Sequence, residues 1–237
     1  MATFVLVHGG GHGGWCYQRL ARRLRAHGHE VHCPTLTGLG ERRHLLGPGI
    51  NLDTHIEDVV SLLVHEDLHD VFLAGHSYGG MVITGVADRA QGRVGHLIFL
   101  DAAHPRGGEA LTTIAAAQMG MASAFLSQVN GVECYHLPDA IAETAYGVSD
   151  PDDVLWMKPR LAPHPWACMT QPLHLADEAA VMAIPRTSVN CTPTLAVRPK
   201  EYLHRTLEAD HLFEIDTGHD LMITEPDKVA QMLLSLV

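Results

Sequence analysis

Six short apolar runs recur along the chain, each closed by turn-forming residues: TFVLVH (3–8), VHCPTL (31–36), DVFLAG (70–75), HLIFLD (96–101), TSVNCT (187–192) and HLFEID (211–216). Hydrophobicity that is continuous rather than alternating over such lengths predicts strands covered on both faces, the pattern of a parallel sheet. Stretches of helical periodicity lie between them. WCYQRLARRLRAHG separates apolar from arginine positions and stops at Gly28, while THIEDVVSLLVHE opens on Thr54 with Glu57 three residues on, a capping-box spacing. GGMVITGVADRA follows the third run and PDKVAQMLLSLV the sixth. Strand and helix alternate, which predicts a doubly wound α/β sheet.

Residues 102–185 break that rhythm. They hold helix-like pieces (LTTIAAAQMGMASAFL, DAIAETAY) and a Pro-rich turn (LAPHPW), with no buried strand in the pattern. The segment reads as a helical cap inserted into a core of residues 1–101 and 186–237, all within a single domain of 1–237. Met119, Met121, Phe125, Trp156 and Trp166 are its candidates for lining an apolar pocket.

Composition narrows the partners. At 46% hydrophobic the 237-residue chain can bury a large core, and a net charge of -11 disfavours nucleic acid and anionic membranes, leaving a neutral small molecule. MATFVLVHGG carries no basic segment ahead of an apolar one, and Cys16, Cys33, Cys134, Cys168 and Cys191 are scattered and odd in number. A cytoplasmic protein with reduced thiols is expected; homodimerisation stays open.

The chemistry centres on Gly75-His76-Ser77-Tyr78-Gly79, a G-x-S-x-G pattern between a strand and a helix. In that setting Ser77 sits on a sharp turn that lifts its hydroxyl above the sheet, and a Cβ at Gly75 or Gly79 would clash. A serine hydroxyl attacks only with a base in reach, and His219, in the turn after the last strand, is the candidate. The glycine-rich loop VLVHGGGHGGW offers the N–H of Gly10 to converge with that of Tyr78 on an oxyanion. Without a following G-K-[ST] or a suitably placed acid, that loop does not read as a phosphate or dinucleotide cradle.

The stretches HGGGHGGWCY, PTLTGLGERRHLL, GHSYGGMVITGVADR and TGHDLMITEP together resemble the α/β-hydrolase superfamily, in the branch of plant methylesterases, hydroxynitrile lyases and bacterial esterases. The resemblance implies a six-stranded core, a helical cap over the pocket and no cofactor. The lyases carry threonine at the position of Gly9 and lysine after the histidine, where this chain has Asp220; a carboxylate there would repel a departing cyanide, so hydrolysis is favoured.

One part of the pattern is missing. The branch usually places its acid on the loop after the fifth core strand, and here that loop reads TPTLAVRPKEY, with Thr194 where aspartate belongs. Asp101, at the end of LIFLD, is one replacement and Glu201 another; a Ser-His dyad with no acid is the third. HEDLH (65–69) matches a zinc pattern but lies at the amino end of the sheet without a third ligand, so no metal is expected. His12, His104 and ERRH (41–44) are candidates for the rim. The expected activity is hydrolysis of an ester or lactone of a small to medium apolar molecule; a lyase, or a catalytically weak binding protein, are the alternatives.

Overall fold

All six apolar runs become strands of one sheet. The computed structural model describes residues 1–237 and contains nine strands. They are β1 (Thr3–Val7), β2 (Glu30–His32), β3 (Val71–His76), β4 (Val94–Leu100), β5 (Leu126–Val129), β6 (Val132–Tyr135), β7 (His164–Pro165), β8 (Arg186–Cys191) and β9 (His211–Ile215). The main sheet has the order β2-β1-β3-β4-β8-β9, and every neighbouring pair is parallel.

The continuous hydrophobicity has a direct structural cause. Successive strand residues point to opposite faces, so a strand covered on both sides needs apolar residues at every position. In β1, Val5 and Val7 join one buried cluster while Phe4 and Leu6 join the other, and in β4 Leu97 and Phe99 part from Ile98 and Leu100 in the same way. Helices Leu52–His65 and Gly79–Arg89 cover the first face; Gln18–Ala26 and Pro226–Leu234 cover the second.

Helix Leu52–His65 starts before Thr54. Asn51 is its N-cap, its side chain accepting from Thr54 N at 3.1 Å, while Thr54 Oγ1 accepts from Asn51 N at 3.3 Å. Thr54 thus closes the capping box as its third residue rather than opening it. The same helix ends at His65, so HEDLH does not lie on one helical face; His69 pairs instead with Asp67 at 3.1 Å.

The chain between β4 and β8 forms a cap of short helices, among them Ala116–Ser123, Asp139–Tyr146 and Pro151–Met157. It also contains what the sequence pattern did not suggest, an antiparallel sheet of order β5-β6-β7. Its hairpin turns through Asn130 and Gly131, both left-handed with φ of 52° and 75°. Asn-Gly is the pair that a two-residue hairpin favours, and it sits between Val129 and Val132.

Register brings the catalytic candidates together. Val7 pairs with Gly75, His76 with Leu100 and Leu100 with Val189, so β1, β3, β4 and β8 end at one level. Residues that follow those ends share the carboxyl edge of the sheet, beside the point where the chain reverses from β1–β2 to β3–β4.

Candidate active site

Ser77 occupies the turn between β3 and helix Gly79–Arg89 with φ of 54°. A non-glycine residue there is held at a cost, and the surrounding glycines allow it. A Cβ on Gly75 would lie 2.5 Å from the Gly79 carbonyl oxygen, one on Gly79 2.7 Å from that of Val7, and one on Gly80 would run into the Ala103 carbonyl. Helix and strand can meet this closely only with bare backbone. The Ser77 carbonyl accepts from Gly80 N at 3.1 Å and Ala103 N at 3.0 Å, which fixes the turn from two sides.

A cavity of about 730 Å³ opens over this turn. Ser77, Tyr78, Gly10, Asp101 and His219 all line it, and the cap supplies an apolar wall that includes Leu111, Met119 and Phe125. Neither the Gly10 nor the Tyr78 N–H meets an acceptor within the protein. Unpartnered amides beside a strained serine are the arrangement that an oxyanion would satisfy. Tyr78 is held from its far end, its hydroxyl donating to His55 Nδ1 at 3.0 Å while His55 Nε2–H donates to the Thr37 carbonyl at 3.0 Å.

The carboxylate that touches His219 is Asp101. His219 Nδ1 donates to Asp101 Oδ2 at 2.6 Å. Asp101 follows β4 with φ of 45°, its own N–H bonded to the Val189 carbonyl at 2.8 Å. Burial works against charge on Asp101, but His219, Arg198 and Thr194 outweigh it and hold the carboxyl below its ordinary range. For His219 burial again opposes the charged form; the hydrogen bond and charge of Asp101 win and raise its pKa. Glu201 is exposed on helix Lys200–Leu207 and does not line the cavity.

Sequence reasoning missed Arg198. Its guanidinium, 13% exposed, lies 3.3 Å from Asp101 Oδ1 and also donates to the Ala102 carbonyl at 3.1 Å and Thr206 Oγ1 at 2.6 Å. Thr192–Val197, read as a loop, is a short helix with Pro193 in its first turn, and it carries Thr194 to the cavity wall. Tyr135 was missed as well. Its hydroxyl lies over Gly10, where a Cβ would strike it.

Four expected pocket residues lie elsewhere. Trp156 packs edge-on against Trp15 and meets the guanidiniums of Arg19 and Arg160 over its ring, because helix Pro151–Met157 turns it toward the second core cluster. Trp166 packs its edge on the Tyr135 ring, outside the cavity lining. His12 is fully buried beneath the glycine loop, with Nδ1 2.8 Å from the Gly10 carbonyl and Nε2 2.9 Å from Asp220. Gly9 abuts the serine from below: a Cβ there would lie 2.9 Å from Ser77 Cβ, so the arrangement leaves no room for threonine. Asp220 is turned away from the cavity toward His12, so its carboxylate does not face the pocket directly, although its charge reaches His219.

One buried cluster has the composition of a metal site, His55, His164 and Cys168. Its hydrogen bonds argue otherwise. His55 uses both nitrogens, and His164 Nδ1 accepts from Gly11 N at 3.1 Å, which leaves its proton on Nε2. Neither imidazole has a lone pair to give.

The model of the alpha/beta hydrolase family matches residues 4–232. The chain belongs to that family. Among the alpha/beta hydrolases it is 36% identical, over the full length of both chains, to a carbendazim-hydrolysing esterase of Nocardioides sp. (strain SG-4G). It is 24% identical to methylesterase 18 of Arabidopsis thaliana, covering 98% of this chain and 95% of that one. A solved Arabidopsis methylesterase superposes with a TM-score of 0.81 at 23% identity, over 100% of this chain and 98% of the other. This alpha/beta hydrolase therefore sits in the esterase and methylesterase branch, as an enzyme of the ester-hydrolysing type.

Proposed function

We propose that this protein hydrolyses carboxylic esters, or a lactone, of small to medium apolar molecules through an acyl-enzyme on Ser77. The observation that carries this reading is the convergence, in one cavity, of a serine at positive φ, two unpartnered N–H groups and a histidine bonded to a buried carboxylate. His219 takes the proton of Ser77 as Oγ attacks the carbonyl, and Asp101 holds the imidazole with Nδ1 protonated so that Nε2 keeps its lone pair for that proton. The N–H groups of Gly10 and Tyr78 receive the negative oxygen. His219 then returns the proton to the leaving alcohol, and water repeats the sequence to free the acid.

The cavity wall supports the substrate class. It is mainly apolar, with Met119, Phe125, Leu137 and Ile141 from the cap, and a cavity of about 730 Å³ suits a compact neutral molecule. Unpaired cysteines fit a reducing compartment, and we place the protein in the cytoplasm; no helix is long and apolar enough to cross a membrane.

The test is turnover of short aryl esters and of carbendazim, the compound named for the Nocardioides relative. Hydrolysis with a burst of alcohol release is expected. Ser77→Ala should remove the burst and reduce turnover at least about 1000-fold. Undiminished hydrolysis by that variant would overturn the assignment of the nucleophile.

A further inference from the structure

His12 and Asp220 are each fully buried, and the reaction outlined above uses neither. They are 208 residues apart in sequence, yet His12 lies two residues beyond Gly10 and Asp220 directly follows His219. The imidazole stands between two groups that can only accept. Nδ1 faces the Gly10 carbonyl at 2.8 Å, and Nε2 faces Asp220 Oδ2 at 2.9 Å. A neutral imidazole has one proton for these two acceptors and would turn a lone pair toward the other. With both nitrogens protonated, both contacts become hydrogen bonds and the carboxylate gains its counter-charge.

We propose that His12 and Asp220 form a buried imidazolium–carboxylate pair that latches the oxyanion loop to the loop carrying the base. The pair is a positioning device. The His12 Nδ1–H joins the Tyr146 hydroxyl, 3.5 Å away, on the Gly10 carbonyl and so fixes the peptide that follows Gly10. The Gly10 N–H belongs to the preceding peptide, whose Gly9 carbonyl accepts from the His12 backbone N–H at 3.4 Å, so anchoring His12 steadies the direction of that donor as well. Asp220 anchors His12 from the neighbouring loop, its own N–H donating to the Tyr146 carbonyl at 2.9 Å.

Surrounding groups fit this assignment. Trp15 stacks on the His12 ring at 5.3 Å and Tyr146 meets it edge-on at 4.8 Å, leaving the ring no alternative partner in its plane. Two other imidazoles act on Asp220: His219, whose Nδ1 is committed to Asp101 at 2.6 Å, and His76, its Nε2 3.7 Å from Oδ1. Burial holds His76 neutral with a pKa of about 3, and its Nε2–H is engaged by the His219 carbonyl at 3.0 Å. The charge that balances Asp220 therefore belongs to His12. Burial raises the Asp220 carboxyl, but His12 outweighs it and brings the pKa below its ordinary value.

The inference rests on Gly10 as an oxyanion donor, and the experiment separates the two. Asp220→Ala and Asp220→Asn are compared with wild type and with Ser77→Ala, using kcat and KM on a short aryl ester. An asparagine amide can donate to Nε2 of a neutral His12 and leave Nδ1–H on Gly10, so it restores the latch without the charge. Asp220→Ala should lower kcat about 10- to 100-fold with KM within about twofold, since a donor displaced from the oxyanion weakens the transition state more than the bound ester. Asp220→Asn should recover to within about threefold of wild type. Nitrogen-15 spectra of the wild-type histidines should show both His12 nitrogens protonated at pH 7, a measurement that needs no variant to fold.

An Asp220→Ala kcat within twofold of wild type, an Asp220→Asn no better than alanine, or a His12 with one protonated nitrogen would each overturn the latch. Ser77→Ala keeps its meaning throughout: full activity there defeats the proposed function, whereas an inactive Ser77→Ala beside an unimpaired Asp220→Ala defeats only the latch.

Discussion

Ser77 and Asp101 share a backbone state that side chains seldom adopt, φ of 54° and 45° at the ends of adjacent strands. Such strain, of order 1–3 kcal/mol at each position, persists where the surroundings enforce it. Asparagine tolerates the left-handed region as aspartate does, so Asp101→Asn tests the carboxylate with little change in backbone cost. That variant should lower kcat about 1000-fold or more by losing control of the His219 tautomer, and Glu201→Gln should leave it unchanged. Reversed outcomes would move the acid to Glu201. The pH profile adds a second reading. The base works only when neutral, and Asp101 raises the pKa of His219, so kcat/KM should climb with pH through a value above 6.5. In Asp101→Asn that limb should shift to lower pH, because the hydrogen bond and charge that favour the imidazolium are gone. The G-x-S-x-G turn and chain order marked Ser77 and His219 as candidates in the sequence, while the acid stayed open among Asp101, Glu201 and none until the contact of Asp101 with His219 was seen. Arg198 and His12 were not legible there, because their partners lie 97 and 208 residues away and nothing local marks the contact.

The central strands β1, β3 and β4 were readable for a physical reason: burial on both faces forces a nearly uninterrupted apolar run, whereas the edge strands β2 and β9 are largely exposed and gave a weaker signal. The cap strands escaped because they are partly exposed and short, with Ser127 and Gln128 at the surface of β5. The signal that did exist was the turn, Asn130-Gly131 between two valines, rather than the strands themselves. Trp156 and Trp166 show the complementary limit. Size and hydrophobicity say that a tryptophan will be covered, but the side of a short cap helix that meets the cavity depends on how the cap docks. At this scale the hairpin invites a test. Gly131→Val places a branched side chain at φ of 75° and should cost about 1–2 kcal/mol by denaturant unfolding. A valine variant as stable as wild type would mean that the turn relaxes freely.

For the whole molecule the abundance of histidine matters more than the net charge. His8, His76 and His104 are held neutral by burial with pKa values of about 3, and His55 of about 4. Unfolded, each returns to about 6.5. Their contribution is intact above that value. It falls as pH drops toward the folded values, since the unfolded chain then binds protons that the folded one refuses, at up to about 1.4 kcal/mol per pH unit per group. His219, with its raised pKa, works in the opposite sense, but the rings held neutral by burial, His164 among them, outnumber it. Denaturant midpoints should therefore fall steeply between pH 7 and pH 5.5, and equal midpoints would contradict the burial of these rings. The cap carries a different consequence. Gly11, next to the proposed oxyanion donor, is gripped by the cap on both its polar groups: its N–H donates to His164 and its carbonyl accepts from Ala162 N at 2.8 Å. A change of substrate range that rebuilt the cap wholesale would disturb the glycine loop beside Ser77 along with the pocket. Divergence toward new substrates has its freer path in the helix bearing Met119, which shapes the cavity without holding that loop.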